Sequence, residues 1–195
     1  TALIPEAVNA AQESDVVVAC VGDLAGLFQS GTVGEGSDTD SLNLPGVQQQ
    51  LLEALVATGK PVIVVMTGGR PYTLQGLEDM VAALIVAWAP GQEGGRAIAD
   101  VLTGRAEPQG RLVVSVPKSA GAMPYYYNHK LKSGGTPFAF HFGSRYPFGF
   151  GLGWTTFRWN AARVAESSVP VDGEVTLSVD ITNTGERSGS EVVQV

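Results

Sequence analysis

Four short runs rich in β-branched residues recur along the first 117 residues, and they constrain the fold more than any other feature. They occupy residues 15–22, 61–68, 82–89 and 111–116. Each run is almost continuously apolar, as strands buried on both faces of a sheet require. Because helical patterns separate the runs, we predict an α/β fold in which a mostly parallel sheet is covered by helices.

The helices are predicted from apolar periodicity and from proline and glycine positions. Residues 1–14 have an amphipathic pattern, and Pro45 suits the start of a helix that ends near Gly59. Residues 95–102 form a third helical pattern, which Gly104 closes. The helices therefore alternate with the strands, as in crossover connections between parallel strands.

The pattern changes after Pro117. Residues 121–156 form a glycine- and aromatic-rich connector with no sustained period. From residue 157 a new pattern begins, in which Val175, Leu177, Val179 and Ile181 alternate with polar residues before a turn and a last strand at residues 190–195. We predict an α/β domain at residues 1–120, a connector, and the beginning of an antiparallel β-sandwich at residues 157–195.

Composition excludes several classes of partner. The net charge is −7 and the twelve Lys and Arg residues are scattered, so a nucleic-acid surface is not expected. No apolar run reaches the roughly 20 residues that cross a bilayer, and we predict no membrane span. The single cysteine, Cys20, lies in an apolar run and is predicted to be a small buried hydrophobe. The compartment stays open.

The connection between the first strand and the second helix is unusually long and acidic. Residues 22–46 include Asp23, Glu35, Asp38 and Asp40 among many small residues. Loops of this length inside a domain are usually functional or disordered. Three interpretations stand on composition alone: a solvated acidic loop, a hard-cation site at Asp38 and Asp40, or a carboxyl group for general acid/base catalysis.

The order of motifs in and after this loop resembles a known family. Residues 33–71 read VGEGSDTDSLNLPGVQQQLLEALVATGKPVIVVMTGGRP. This run is similar to the second domain of glycoside hydrolase family 3, in which GEG-x-D precedes L-x-LPG-x-Q, a helix, GKPVVVV and GRP. The similarity continues through GQEGGRAIADVLTG and RYPFGFGLGWTTF into a segment that resembles the start of a fibronectin-III-like domain. One departure is Thr39, where the family commonly has Arg.

The resemblance implies that the chain is part of a retaining β-glycosidase. Such an enzyme removes terminal β-linked sugars, and its substrate would be a β-glucoside or a β-xyloside. In this family an Asp nucleophile comes from a preceding (β/α)₈ barrel, and a Glu acid/base comes from the second-domain loop. Glu35 occupies that Glu position, with Asp38 and Asp23 as neighbouring alternatives. Nothing here resembles the nucleophile motif, so the chain alone is expected to be inactive, and the missing barrel is its expected partner.

Two other functions are considered beside this one. A non-catalytic module of the same ancestry would bind sugar or brace another domain. A nucleotide-binding domain is disfavoured, because neither G-x-G-x-x-G nor G-x-x-x-x-G-K-[ST] follows the first strand. No cofactor and no metal are expected.

Several further residues have both a functional and a structural interpretation. The ring of Phe28 could bind a sugar face or pack on its own loop. Arg70 could contact a ligand, but an Arg between Gly and Pro at a turn more often holds a loop in place. Asp40 and Asn43 are expected to be loop and cap residues, and His129 and His141 are expected to be structural, because neither has metal or triad spacing.

Overall fold

The computed structural model describes residues 1–28, 30–129 and 143–195. The chain divides into two compact units, Thr1–Ala99 with Leu112–Gly149, and Asp100–Arg111 with Phe150–Val195. The three-part division drawn from the sequence, with limits at residues 120 and 156, stays a prediction.

A parallel sheet forms the centre of the first unit. Its described strands are β1 (Val17–Gly22), β2 (Val62–Thr67) and β3 (Ala83–Trp88), in the spatial order β1-β2-β3. Val17 pairs with Val62, and Ile63 pairs with Ala83. The predicted α/β class and these three predicted strands are confirmed.

Three helices have the predicted positions. They are α1 (Ile4–Gln12), α2 (Gln48–Val56) and α3 (Gly94–Leu102). Pro45 lies three residues before α2, and Gly59 follows the helix with a φ of +73°. Gly104, after α3, has a φ of +77°. Both glycines adopt the left-handed conformation that ends helices, as predicted.

The core lies between β2 and α2. Leu52 of α2, Val64 of β2 and Leu74, which follows β2, have no exposed surface. Buried side chains from α1, β1, the loop before α2, α2, β2 and the segment after β2 complete the cluster: Ala11, Ala19, Val21, Leu44, Leu55, Val62, Met66, Tyr72 and Leu77. The loop is thus anchored in the same core as the sheet.

The prediction of a fourth strand at residues 111–116 in the parallel sheet was wrong. Only β4 (Val116–Pro117) is a strand there, and it pairs antiparallel with β5 (Ser144–Tyr146). The backbone N–H of Gly149 donates to Leu112 O at 2.7 Å, and Phe148 N–H donates to Ser115 Oγ at 3.0 Å. The apolar run therefore lies along the connector, and Val113 is left 69% exposed.

Cys20 is also not buried as predicted. Along β1 the side chains of Ala19 and Val21 are buried, whereas those of Val18 and Cys20 are exposed. Strand β1 is the edge of the described sheet, and only one of its faces is covered by described residues. A continuous apolar run therefore did not mean burial on both faces.

The second unit contains an antiparallel pair of strands. Strand β6 (Phe157–Val164) pairs antiparallel with β7 (Leu177–Asn183), which confirms the predicted strand, although Val175 lies outside it and Leu177 is exposed. The predicted strand at residues 190–195 is wrong, because no strand is found there. That segment has no ladder with a described neighbour, and a strand is stabilised only by such pairing.

None of the described helices is long and apolar enough to cross a membrane.

Candidate functional site

The long connection between β1 and α2 folds back on itself as a compact loop. Thr32 N–H donates to Leu24 O at 2.7 Å, Gly26 N–H donates to Val33 O at 3.0 Å, and Phe28 N–H donates to Glu35 O at 2.7 Å. The stretch before residue 29 and the stretch around Glu35 therefore run side by side. These backbone bonds give the loop a defined shape without a regular strand.

One glycine on each side of Glu35 allows the loop to adopt this backbone conformation. Gly34 has a φ of +125°, and a Cβ there would lie 1.9 Å from the carbonyl oxygen of Gly26. Gly36 has a φ of +74°, and its Cβ would meet the Phe28 backbone at 3.3 Å. An L side chain would be strained at both positions, which explains the GEG pattern physically.

The Glu35 side chain is exposed. No described residue donates a hydrogen bond to the Glu35 carboxylate, and none forms an ion pair with it. A fixed backbone therefore presents an uncommitted carboxylate at the surface of the chain. A carboxylate without a partner can exchange a proton with a molecule that binds to the chain.

Phe28 lies next to Glu35 along the backbone of the folded loop. Its backbone has a φ of +50°, an uncommon conformation for an aromatic residue, and the residue is 72% exposed. One edge of the ring lies against Gly36. The structure thus places Phe28 and Glu35 side by side, and a sugar-binding role for the ring stays a prediction.

Asp23 holds the base of the loop. Its carboxylate accepts hydrogen bonds from the hydroxyl of Thr32 at 2.9 Å, the N–H of Gly69 at 3.0 Å and the hydroxyl of Tyr72. Burial, and then the hydrogen bond to Asp23, raise the pKa of Tyr72 well above its usual value. These contacts give Asp23 a structural role that the sequence did not reveal.

Arg70 holds the loop from the end of β2. Its Nη2 donates to Thr32 O at 3.0 Å and to Ser37 O at 2.8 Å. The interpretation of Arg70 as a residue that holds the loop is therefore confirmed.

A polar cavity of about 380 Å³ lies beside the loop. Asp38 and Arg70 line it together with Thr39, Ser41, Asn43 and Tyr72, whereas Glu35 does not. The hydroxyl of Ser37 is buried there and has no hydrogen-bond partner among the described residues. Of the four loop carboxylates, Asp38 lines this cavity, Asp23 is hydrogen-bonded at the base of the loop, and Glu35 and Asp40 are exposed without lining the cavity.

A family model described as the glycosyl hydrolase family 3 C-terminal domain matches residues 1–154. The chain belongs to glycoside hydrolase family 3. It is 40% identical to a periplasmic beta-glucosidase of Salmonella typhimurium, with 100% of this chain and 26% of that protein aligned. It is 39% identical to a beta-xylosidase of Formosa agariphila, with 98% of this chain and 26% of that protein aligned.

Solved structures of this family are similar in fold as well. A β-glucosidase of Erythrobacter marinus has a TM-score of 0.84 and 36% identity, over 96% of this chain and 25% of its own. A beta-glucosidase of Listeria innocua in complex with glucose has a TM-score of 0.81 and 29% identity, over 93% of this chain and 26% of its own. The chain thus spans about a quarter of the length of these family 3 relatives.

The family 3 motif L-x-LPG-x-Q has a physical explanation here. Leu42 and Leu44 are buried, and Thr73 N–H donates to Leu42 O at 2.8 Å. The Gln48 side chain accepts from Gly22 N at 2.6 Å and donates to Gly22 O at 2.8 Å. Gln48 therefore ties the start of α2 to the end of β1 and closes the loop.

Sequence reasoning missed Gln48, Thr32 and Tyr72 as residues that shape this family 3 site. A polar residue that begins an otherwise apolar helix face was the available signal for Gln48. Thr32 and Tyr72 carried no comparable signal, because their partner Asp23 is 9 and 49 positions away along the chain.

The described part of this family 3 chain also contains residue types that can bind metal ions, including His129. No group of three or more His, Cys, Asp or Glu residues there could hold a metal ion. The His129 ring lies 3.2 Å from the Tyr125 hydroxyl and 3.1 Å from Tyr126 O, which fits the structural role predicted for it. His141 lies outside the described residues.

Proposed function

We propose that this chain is part of a retaining, exo-acting β-glycosidase and supplies its general acid/base, Glu35. The observation that carries the proposal is the exposed Glu35 carboxylate, which the fixed backbone between two glycines presents without a partner among the described residues. The family match and the β-glucosidase and β-xylosidase relatives support a β-glucoside or β-xyloside as substrate.

The proposed reaction has two steps. Glu35 donates its proton to the glycosidic oxygen while an Asp carboxylate of the barrel attacks the anomeric carbon, so the aglycone leaves as an alcohol and a glycosyl ester forms. Glu35, now a carboxylate, removes a proton from water, which attacks the anomeric carbon and releases the Asp. Retention requires the two carboxyl groups to lie about 5 to 5.5 Å apart.

The barrel of the complete enzyme has a second role in this proposal. A general acid must hold its proton near neutral pH, which a partly dry cleft favours. Because the Glu35 side chain is exposed in this chain, we expect the barrel to cover it and exclude water. This chain alone is therefore expected to be inactive.

Phe28 is proposed to contact the leaving group. Its exposed ring lies against Gly36, the residue after Glu35, and offers an apolar face to a sugar or an aryl group. Phe28→Ala in the complete enzyme is expected to raise KM for an aryl glycoside more than for a methyl glycoside. An equal effect on both would assign Phe28 to loop packing alone.

The test of Glu35 compares glycosides with good and poor leaving groups. In the complete enzyme, Glu35→Gly should lower kcat/KM for a phenyl glycoside by about 10²- to 10⁴-fold. A dinitrophenyl glycoside, which needs little protonation, should be affected much less. Azide should restore turnover of the variant and yield a β-glycosyl azide.

Asp38→Ala is the matched control, because Asp38 is an exposed carboxylate of the same loop. Unchanged kinetics in Glu35→Gly would remove Glu35 from the mechanism. If Asp38→Ala, and not Glu35→Gly, loses activity mainly on the phenyl glycoside, Asp38 would be the general acid/base instead. No effect in either variant would favour a non-catalytic, bracing module.

A further inference from the structure

Arg70 bridges the two ends of the short segment that carries Glu35. A single guanidinium nitrogen donates to the carbonyl oxygens of Thr32 and Ser37, at 3.0 and 2.8 Å. These two residues enclose residues 33–36, so Arg70 sets the distance between the ends of the segment. A hydrogen bond inside it, from Ser37 N–H to Gly34 O at 3.0 Å, shapes the turn itself.

The backbone before Arg70 is built for close contact with the loop. A Cβ on Gly68 would lie 2.7 Å from Asp23 Oδ2, and a Cβ on Gly69 would lie 2.7 Å from Val33 Cγ2. Because neither glycine has a side chain, the loop rests directly on this backbone. Arg70 is therefore held against the loop and contacts it at short range.

A cavity lies beside the two residues that Arg70 joins. The cavity of about 380 Å³ is lined by Thr32, Ser37 and Arg70, and the buried Ser37 hydroxyl has no described partner. The side-chain hydrogen bonds of Arg70 therefore add to the backbone bond from Phe28 N–H to Glu35 O in holding Glu35 in place.

We infer that Arg70 is a positioning residue for acid catalysis by Glu35. This inference rests on the proposed function, and it adds a residue that does not touch the reacting atoms. Proton transfer depends on close alignment with the glycosidic oxygen, and a displacement of about 1 Å can lower a rate by about 10²-fold. Loss of the Arg70 bonds should therefore weaken protonation of the leaving group specifically.

The experiment uses the complete enzyme with phenyl and dinitrophenyl glycosides of whichever sugar the wild type cleaves faster. The measured quantity is the ratio of the two kcat/KM values, phenyl over dinitrophenyl. A smaller fraction of folded enzyme lowers both values equally, so the ratio does not report instability. It reports only protonation of the leaving group.

Three variants are compared with the wild type. Arg70→Met removes the donors but keeps most of the side-chain length, and it should lower the ratio at least about tenfold. Arg70→Lys keeps the charge but loses the planar guanidinium, and it should lower the ratio less. Arg163→Met is the control, because Arg163 is exposed, belongs to the other compact unit and pairs with Asp180 at 3.4 Å.

A double variant separates positioning from other effects. In a Glu35→Gly enzyme there is no acid to position, so adding Arg70→Met should leave the ratio unchanged. A further fall in the ratio would show that Arg70 acts on the leaving group independently and would overturn the inference.

The two proposals fail differently. If Glu35→Gly lowers the ratio while Arg70→Met and Arg70→Lys keep the wild-type ratio, the positioning role is wrong and the acid/base role stands. If Glu35→Gly keeps the wild-type ratio, the acid/base role is wrong and the positioning role falls with it. If Arg70→Met yields no folded enzyme, Arg70→Lys decides.

Discussion

The hydroxyl of Tyr72 donates a hydrogen bond to the carboxylate of Asp23, and this bond joins the segment after β2 to the first residue of the long loop. Tyr72 is buried, and Asp23 is half-buried. The same carboxylate binds Thr32 and Gly69. One residue pair thus connects the core to the loop that presents Glu35.

Removal of the Tyr72 hydroxyl should destabilise the protein. Tyr72→Phe leaves a half-buried carboxylate with one donor fewer, and hydrogen bonds to charged groups contribute about 1.5–3 kcal/mol. Urea unfolding at neutral pH measures the loss of free energy. Tyr126→Phe is the control, because Tyr126 is exposed, and a loss of the same size there would contradict a specific role for the Tyr72 bond.

Tyr72 should also give the protein a specific sensitivity to high pH. The pKa of Tyr72 is raised in the folded state by burial and by Asp23, whereas an unfolded Tyr titrates at about pH 10. Above that pH the unfolded state binds fewer protons than the folded state, so stability falls as the pH rises. The contribution of Tyr72 to the free energy of unfolding is complete below about pH 10 and is lost as the pH rises above it.

The check compares urea midpoints of the wild type and Tyr72→Phe from about pH 9 to about pH 11. The wild type should lose stability more steeply, because the variant has no hydroxyl to titrate. Parallel pH dependences would show that Tyr72 does not titrate with folding.

The glycine before Glu35 should be required for activity more than for stability. Gly34→Ala places a Cβ against Gly26 O in a backbone conformation with a φ of +125°, and an exposed loop can relieve this strain by moving. We expect kcat/KM of the complete enzyme for a phenyl glycoside to fall at least about tenfold, because Glu35 is displaced.

Gly59→Ala is the matched control for Gly34. Gly59 also has a positive φ, of +73°, but a Cβ there would meet nothing within 4 Å. It should lower the free energy of unfolding by about 1–2 kcal/mol and leave kcat unchanged. Full activity in Gly34→Ala would contradict the need for this loop shape.

Gln48 should stabilise the junction of β1 and α2. Gln48→Ala removes both bonds to Gly22, and at about 0.5–1.5 kcal/mol each the loss should be about 1–3 kcal/mol in urea unfolding. Gln50→Ala controls for helix propensity, because Gln50 is exposed on the same helix. If both substitutions lower the free energy of unfolding equally, the Gln48 hydrogen bonds do not stabilise this junction.

Much of the fold was predictable because the information is local. Apolar runs and helical periods identified β1 to β3 and α1 to α3, and the prolines and glycines marked the helix ends within a few residues. The ordered motifs from the GEG segment to the connector were sufficient to predict family 3. The same reasoning failed at residues 111–116, where an apolar run lies along the connector instead of joining the sheet.

The sequence by itself determined the element types, the long acidic loop and its flanking glycines, because backbone preference and apolar periodicity depend on neighbouring residues. Only the tertiary structure decided that Asp23 holds the loop while Glu35 has no described partner. Four acidic side chains in one loop have similar intrinsic chemistry, and their partners come from chain segments up to 49 positions away. The path of the chain therefore distinguishes the carboxylate that holds the loop from the one that the loop presents.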